Sequence, residues 1–231
     1  MRLHTIVVPL LGFSTLLFTH VATPGASPEA TPNVGLGDDL VAATLAGDET
    51  EVHELIQNHA DLEARDDRQR TPLMIATNDN NIEIARQLIE AGADVNAKDD
   101  IKDSPYLYAG ARGLNEILHM TLDHGADLKS TNRFGGTALI PACERGHVET
   151  VRILIEAGVD VDHVNDLGWT GLLEAIILSD GGEPHQQIVQ LLIDAGADVN
   201  LADFDGVTPL QHAQSRGFTI IANKLLAAGA Q

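Results

Sequence analysis

Three groups of residues carry side chains capable of chemistry: the acidic run Asp203-Phe-Asp-Gly206, ten histidines, and the single cysteine Cys143. A calcium loop could begin at Asp203 and Asp205, but it would need a bidentate acid downstream, and none stands at that spacing. The pairs His53/His59 and His119/His124 are spaced off a common helical face, so neither makes a two-histidine metal motif. The sequence holds no nucleophile elbow, no phosphate loop ending in Gly-Lys-Ser/Thr and no His-Glu-x-x-His pair. With one cysteine no intramolecular disulfide can form, and a thiol in a small apolar helix position is expected to be packed and inert. These absences point away from an enzyme, a cofactor or a metal centre and toward recognition. The side chains suited to recognition are Phe134 beside Arg133, Trp169, and Phe204 beside Asp205, in a chain with one tryptophan and five phenylalanines. Rings next to charge are the composition of interface hot spots.

The formal charge is −20, from 34 acidic and 14 basic residues. Nucleic-acid binding rests on Lys and Arg displacing counterions from phosphate, so that partner class is excluded. An anionic membrane surface is disfavoured for the same reason, while basic or neutral partners and high solubility are favoured.

The elements that must position these residues recur along the chain. Thr137-Ala-Leu opens a short helix predicted to run to about Arg145, Gly146 and His147 turn the chain, and a second helix carries Val148, Val151, Leu154 and Ile155 on one face. Gly158 follows as a left-handed cap, and Val159-Asp-Val-Asp162 leads out to a tight turn at Asp166-Leu-Gly-Trp169. One such unit cannot bury its own stripe. The same register returns at Thr71, Ser104, Thr137, Thr170 and Thr208, with a degenerate start at Asp38, at intervals of 33, 33, 33, 33 and 38 residues. A fixed period with paired helices is the signature of a solenoid. The unit endings agree: Ala91-Gly-Ala-Asp-Val-Asn96, His124-Gly-Ala-Asp127, Ala157-Gly-Val-Asp160 and Ala195-Gly-Ala-Asp-Val-Asn200.

On these motifs the chain resembles the ankyrin-repeat family, whose pattern is Thr-Pro-Leu-His-x-Ala followed by Gly-Ala-Asp-Val-Asn. The resemblance covers residues 38 to 231 and implies an all-α solenoid of about six helix-turn-helix units joined by β-hairpin-like loops. Arg133-Phe-Gly-Gly136, Pro141-Ala-Cys-Glu144 and Gly168-Trp169 through Leu172-Leu-Glu-Ala175 to Asp180-Gly-Gly182 add a narrower likeness to small free-standing bacterial ankyrin proteins.

Individual units depart from the pattern. The first has Asp38-Asp39 where others have Thr-Pro, suited to a helix N-terminus, and a polar second helix fit for an end cap. The second replaces a turn glycine with Asn80. In the third, Tyr106 stands at a core leucine position, and Lys102 replaces the tip glycine. The fifth is five residues longer, with the extra stretch in Ser179–Gln187 expected to form a loop between its helices. In the sixth, Ile220, Ile221, Leu225 and Leu226 are expected to form the stripe of a closing helix.

What the resemblance implies for function is a non-enzymatic protein-binding scaffold, working as a monomer, with its partner on the concave side built by loop tips and first helices. Carried onto this sequence, the expected partner-binding residues are Arg133, Phe134, Glu144, Arg145, Asp166, Leu167, Trp169, Phe204, Asp205 and Arg216, spread over repeats four to six. An alternative is a small-molecule or peptide receptor in repeats four and five, with Arg133, Glu144, Trp169 and Glu174 lining a pocket. A further alternative, from similarity to periplasmic ankyrin proteins that support catalase, is a stress factor serving an antioxidant enzyme.

Met1-Arg-Leu-His and the apolar run Ile6 to Phe18, followed by small residues at Ala22, Gly25, Ala26 and Ser27, have the order of a signal peptide over 1–26. A periplasmic or secreted location is therefore expected, without stable membrane insertion once the segment is removed; the alternative is an anchor that stays uncleaved. Residues 27–37 have the Pro, Gly and Ser content of a flexible linker.

Overall fold

The structure, a computed structural model, describes residues 34–231; the signal segment and most of the linker lie outside the described residues. The ordered array begins slightly before Asp38. Val34–Leu36 form a 3-10 turn, and Gly37 opens the first helix, packed so closely that a Cβ there would sit 2.8 Å from the Ala64 Cβ.

Twelve α-helices follow in six pairs: α1 (Gly37–Ala46) with α2 (Glu49–Gln57), α3 (Pro72–Asn78) with α4 (Ile82–Glu90), α5 (Pro105–Arg112) with α6 (Asn115–Asp123), α7 (Leu139–Glu144) with α8 (Val148–Glu156), α9 (Gly171–Ile177) with α10 (Glu183–Asp194), and α11 (Pro209–Ser215) with α12 (Thr219–Ala227). No strand occurs among the described residues. Odd-numbered helices pack in sequence as an inner layer and even-numbered helices as an outer one.

The core follows from the period. The third residue of each unit is Leu40, Leu73, Tyr106, Leu139, Leu172 and Leu210, and all six are buried in one continuous cluster. Tyr106 therefore does take the leucine place. Val151 and Leu154 of the α8 stripe are buried, with Val148 and Ile155 partly so. Of the expected α12 stripe, Ile221 and Leu225 are buried, while Ile220 and Leu226 are exposed.

Helix starts obey one device. The hydroxyls of Thr71, Ser104, Thr170 and Thr208 accept from the amides of Met74, Leu107, Leu173 and Gln211. Such caps satisfy amides that have no partner inside the helix. Thr137 breaks the rule because of Pro141. Proline has no N–H for the Thr137 carbonyl, which accepts from Ile140 instead; α7 shrinks to six residues and the Thr137 hydroxyl is buried without a hydrogen-bond partner.

Neighbouring units are also tied through their outer loops. Side chains of Glu63, Asn96, Asp162 and Asn200 accept from the backbone amides of Asp94, Asp127, Asp198 and Gln231 in the next unit. The corresponding residue of the third unit is Lys129, which has no acceptor to offer Asp160. At that same junction a cleft lined by Leu122, Leu128 and Ile153 opens between α6 and α8. Lys129→Asn is expected to add the missing rung and raise unfolding stability by about 1 kcal/mol, read as a higher urea midpoint with unchanged slope. An unchanged midpoint would show that the rungs are decorative.

The long fifth unit does not carry its extra residues as a free loop. Only Leu178 to Gly182 remain outside helices, and Glu183, Pro184 and His185 lengthen α10 to twelve residues, against nine in α4, α6 and α8. The segment is fastened on both sides. The His185 Nε2 donates to the Glu144 carbonyl at 2.9 Å, Arg216 donates to the Ser179 carbonyl at 2.7 Å, and Phe218 covers Gly181.

Candidate functional site

Five tips project between the units, and each is organised by one side chain. Asp66, Asp99, Asn132, Asn165 and Asp203 use Oδ1 to accept from the amides two and four residues ahead. The backbone closes the same turn, for example Asn165 N–H to the Trp169 carbonyl at 3.0 Å. The fourth residue of every tip takes positive φ: Gln69, Lys102, Gly135, Gly168 and Gly206. Glycine there also makes room. The second tip residue folds back over the preceding glycine, Asp166 over Gly135 and Phe204 over Gly168, where an added Cβ would lie 2.5 Å from the Phe204 ring.

This register sorts the expected recognition residues. Phe134, Trp169 and Phe204 occupy the third, fifth and second places of their tips, so they form no common row. The third places are Arg68, Ile101, Phe134, Leu167 and Asp205. Ile101, Phe134 and Leu167 are 38%, 48% and 51% exposed, giving an apolar ridge over three successive tips. Reading rings by size rather than by place in the turn hides this row; the 33-residue spacing from each tip's Asp or Asn would have found it.

Between the ridge and the inner helices lies a concave cleft of about 420 Å³. Arg133, Phe134, Glu144, Arg145 and Leu167 line it, together with Ile101 and Asp103 at the end of the second unit, Tyr108 and Arg112 of the third, Asn165 of the fourth, and Glu174 and Leu178 of the fifth. The cleft is thus centred one unit earlier than the span of repeats four to six. Trp169 is half-buried and not part of the wall, Asp205 is exposed beyond it, Phe204 packs on the preceding tip, and Arg216 is held by Ser179 and lies over the Phe218 ring at 5.0 Å.

The guanidiniums of the cleft are engaged. Arg145 donates to the Ala111 carbonyl at 2.6 Å, Arg133 lies 4.6 Å from the Phe134 ring centre and 3.9 Å from Asp103, and Arg112 stands over Tyr108. The carboxyls are less well served. Burial raises the Asp103 carboxyl above its ordinary value, with Asp99 adding to it and Arg133, Arg145 and Lys98 opposing. Glu174 is only 6% exposed, and the one hydrogen bond to its carboxyl comes from Asn165 Nδ2 at 2.8 Å. Burial pushes its carboxyl up to about 7, the Glu144 carboxylate adds to the rise, and Asn165 and Arg145 pull the other way. Cys143 beneath it is fully buried, and burial pushes its thiol well above the ordinary range, as expected of an inert packed side chain.

Set against known proteins, the family model of ankyrin repeats in three copies matches residues 39–99 and 106–203. The chain belongs to the ankyrin-repeat family. It is 62% identical to a solved ankyrin repeat domain from Acinetobacter baumannii AYE, covering 84% of this chain and 98% of that one with a TM-score of 0.82. The ankyrin repeat protein EF0377 is 44% identical over 85% of this chain and 98% of its own, with a TM-score of 0.80. The ankyrin repeat domain of Bcl-3, a member of the IkappaB family, is 30% identical over 83% of this chain and 86% of its own, with a TM-score of 0.75. YahD of Escherichia coli (strain K12), also named for ankyrin repeats, is 47% identical over 58 residues, which span 25% of this chain and 29% of YahD. Ankyrin repeats generally mediate protein–protein interaction and are typically non-enzymatic, which agrees with the lack of catalytic motifs in this sequence.

Proposed function

We propose that this ankyrin-repeat protein is a non-enzymatic scaffold of the bacterial envelope that binds a protein partner along the concave cleft of repeats three to five. The observation that carries the reading is the uncovered ridge of Ile101, Phe134 and Leu167 beside a wall of arginines and carboxylates. Lone exposed apolar side chains need no explanation, but a row of three over a concave cleft is the anatomy of an interface core with a charged rim.

Phe134→Ala with Leu167→Ala removes two ridge members without touching the buried cluster. The pair is expected to weaken partner binding by about 30-fold, corresponding to roughly 2 kcal/mol, with cooperative unfolding nearly unchanged. Capture from an envelope fraction with both proteins as bait measures this. A partner retained equally by both would place binding elsewhere on the solenoid.

The envelope part of the reading is supported by the order of residues 1–26, which lie outside the described residues. No helix among the described residues is long and apolar enough to cross a membrane. Cell fractionation with N-terminal sequencing of the isolated protein tests it; a cytoplasmic protein that retains Met1 would refute export.

A receptor for a small molecule or peptide is the second reading, favoured by the convergence of Arg133, Glu144 and Glu174 on one 420 Å³ cleft. One metabolite that raises the melting temperature discretely, with loss of that rise in Glu144→Gln, would replace the scaffold reading.

A further inference from the structure

The cleft joins two features that together specify an occupant. Along its rim the Ile101–Phe134–Leu167 row crosses two unit spacings, about 20 Å at ordinary helix separation, enough for roughly six residues of extended chain. In its wall Glu144, the last residue of α7, and Glu174, in α9, stand on successive inner helices and face the same space. Neither carboxylate has an ion pair. Glu144 makes no side-chain hydrogen bond, and Glu174 has only the amide of Asn165 on one oxygen. The guanidiniums nearby already have partners: a carbonyl for Arg145, a ring and Asp103 for Arg133, a ring for Arg112. What the two glutamates lack is therefore a directly paired cation, and the −20 of the whole chain draws cations and repels anions on approach.

We infer that the cleft takes an extended, basic segment of the partner, with apolar residues on Ile101, Phe134 and Leu167 and one Lys or Arg side chain against Glu144 and Glu174. This rests on the concave face being the docking surface, and it names the chemistry of what docks. The groups facing Glu174 are Glu144 and Cys143 on α7, Arg145 immediately after it, and Asn165 in the tip that precedes α9. Of these, only Arg145 brings positive charge, and it is directed in part to Ala111. A ligand cation stabilises the ionised form of Glu174, whose carboxyl otherwise holds its proton near neutrality. Binding consequently releases a proton and tightens as pH rises from about 6 to 8.

The test is selection of random peptides displayed against the protein, followed by calorimetry of a synthesised winner in two buffers of different ionisation enthalpy. Enriched peptides are expected to combine apolar residues with Lys or Arg, to bind at least tenfold more weakly to Glu174→Gln and Glu144→Gln, and to release a proton only when Glu174 is present. Acidic or uncharged winners, or basic winners indifferent to both glutamates, overturn the inference. If such winners still require Phe134 and Leu167, the concave docking surface stands while its stated chemistry falls. No enrichment, or winners indifferent to Phe134→Ala with Leu167→Ala, overturns both.

Discussion

Glu174→Gln is expected to raise unfolding stability by up to about 3 kcal/mol at pH 8 and to leave it nearly unchanged at pH 4.5. The sign follows from where the proton sits. The folded carboxyl titrates at about 7 against an ordinary value of 4.5, because burial and then Glu144 disfavour its charge. Below pH 4.5 both folded and unfolded chains hold the proton, so the group contributes no pH dependence. Between pH 4.5 and 7 the unfolded chain ionises while the folded one does not, and stability falls as pH rises. Above 7 both are charged, and the folded state carries the full cost, about 3 kcal/mol at 1.36 kcal/mol per pH decade of difference. Glutamine keeps the acceptor for Asn165 Nδ2 and cannot ionise. Urea titrations of both proteins from pH 4 to 9 measure the effect. A wild-type stability that is flat between pH 5 and 8 would mean the carboxyl titrates normally. Holding a stability defect in a cleft wall is what a site adapted to an outside cation would do, so the same variant should gain stability and lose ligand.

Much of this architecture was legible because periodic burial leaves periodic residues. The core row from Leu40 to Leu210, the Thr and Ser caps and the left-handed Asn80 all follow from the 33-residue register and local stereochemistry. The candidate site was legible only in part, because large side chains announce themselves while their place within a five-residue turn does not. Trp169 and Leu167 are two residues apart, yet one sits off the cleft and the other on its ridge. The fifth-unit insertion looked like a loop from its glycines, but Glu183 and Pro184 suit the first turn of a helix, and α10 starts there. Glu174 gave no sequence signal as an acid under strain, since its cost arises from burial and from Glu144, with Asn165 and Arg145 offsetting part of it, and the fold alone brings these groups together.

Asn165→Asp is expected to cost on the order of 3 kcal/mol at pH 8, far more than so small a change suggests. Aspartate is a sound organiser of these tips at Asp66, Asp99 and Asp203, where Oδ1 receives the two forward amides. In the sixth unit Asp203 faces His212, with Nε2 to Oδ2 at 2.7 Å, and although burial raises its carboxyl, the Val207 amide, His212 and the Asp205 amide hold it below the ordinary range. Glu174 occupies the place of His212 in the fifth unit, five residues into the repeat in both cases. An acid at 165 would therefore lose the donor to Glu174 and set carboxylate against carboxylate in a buried site. At pH 5, where Glu174 is protonated and can donate, the cost should shrink. Adding Glu174→His to Asn165→Asp rebuilds the Asp–His pair of the sixth unit, so the double variant should recover stability with a coupling of about 2 kcal/mol. Additive effects in that cycle, or an Asn165→Asp cost independent of pH, would show that the tip and the inner helix do not constrain each other's charge. Coupling of the expected size would explain why this tip is built on asparagine: the amide is the tip residue that can close the turn and still donate to an acid in the cleft wall.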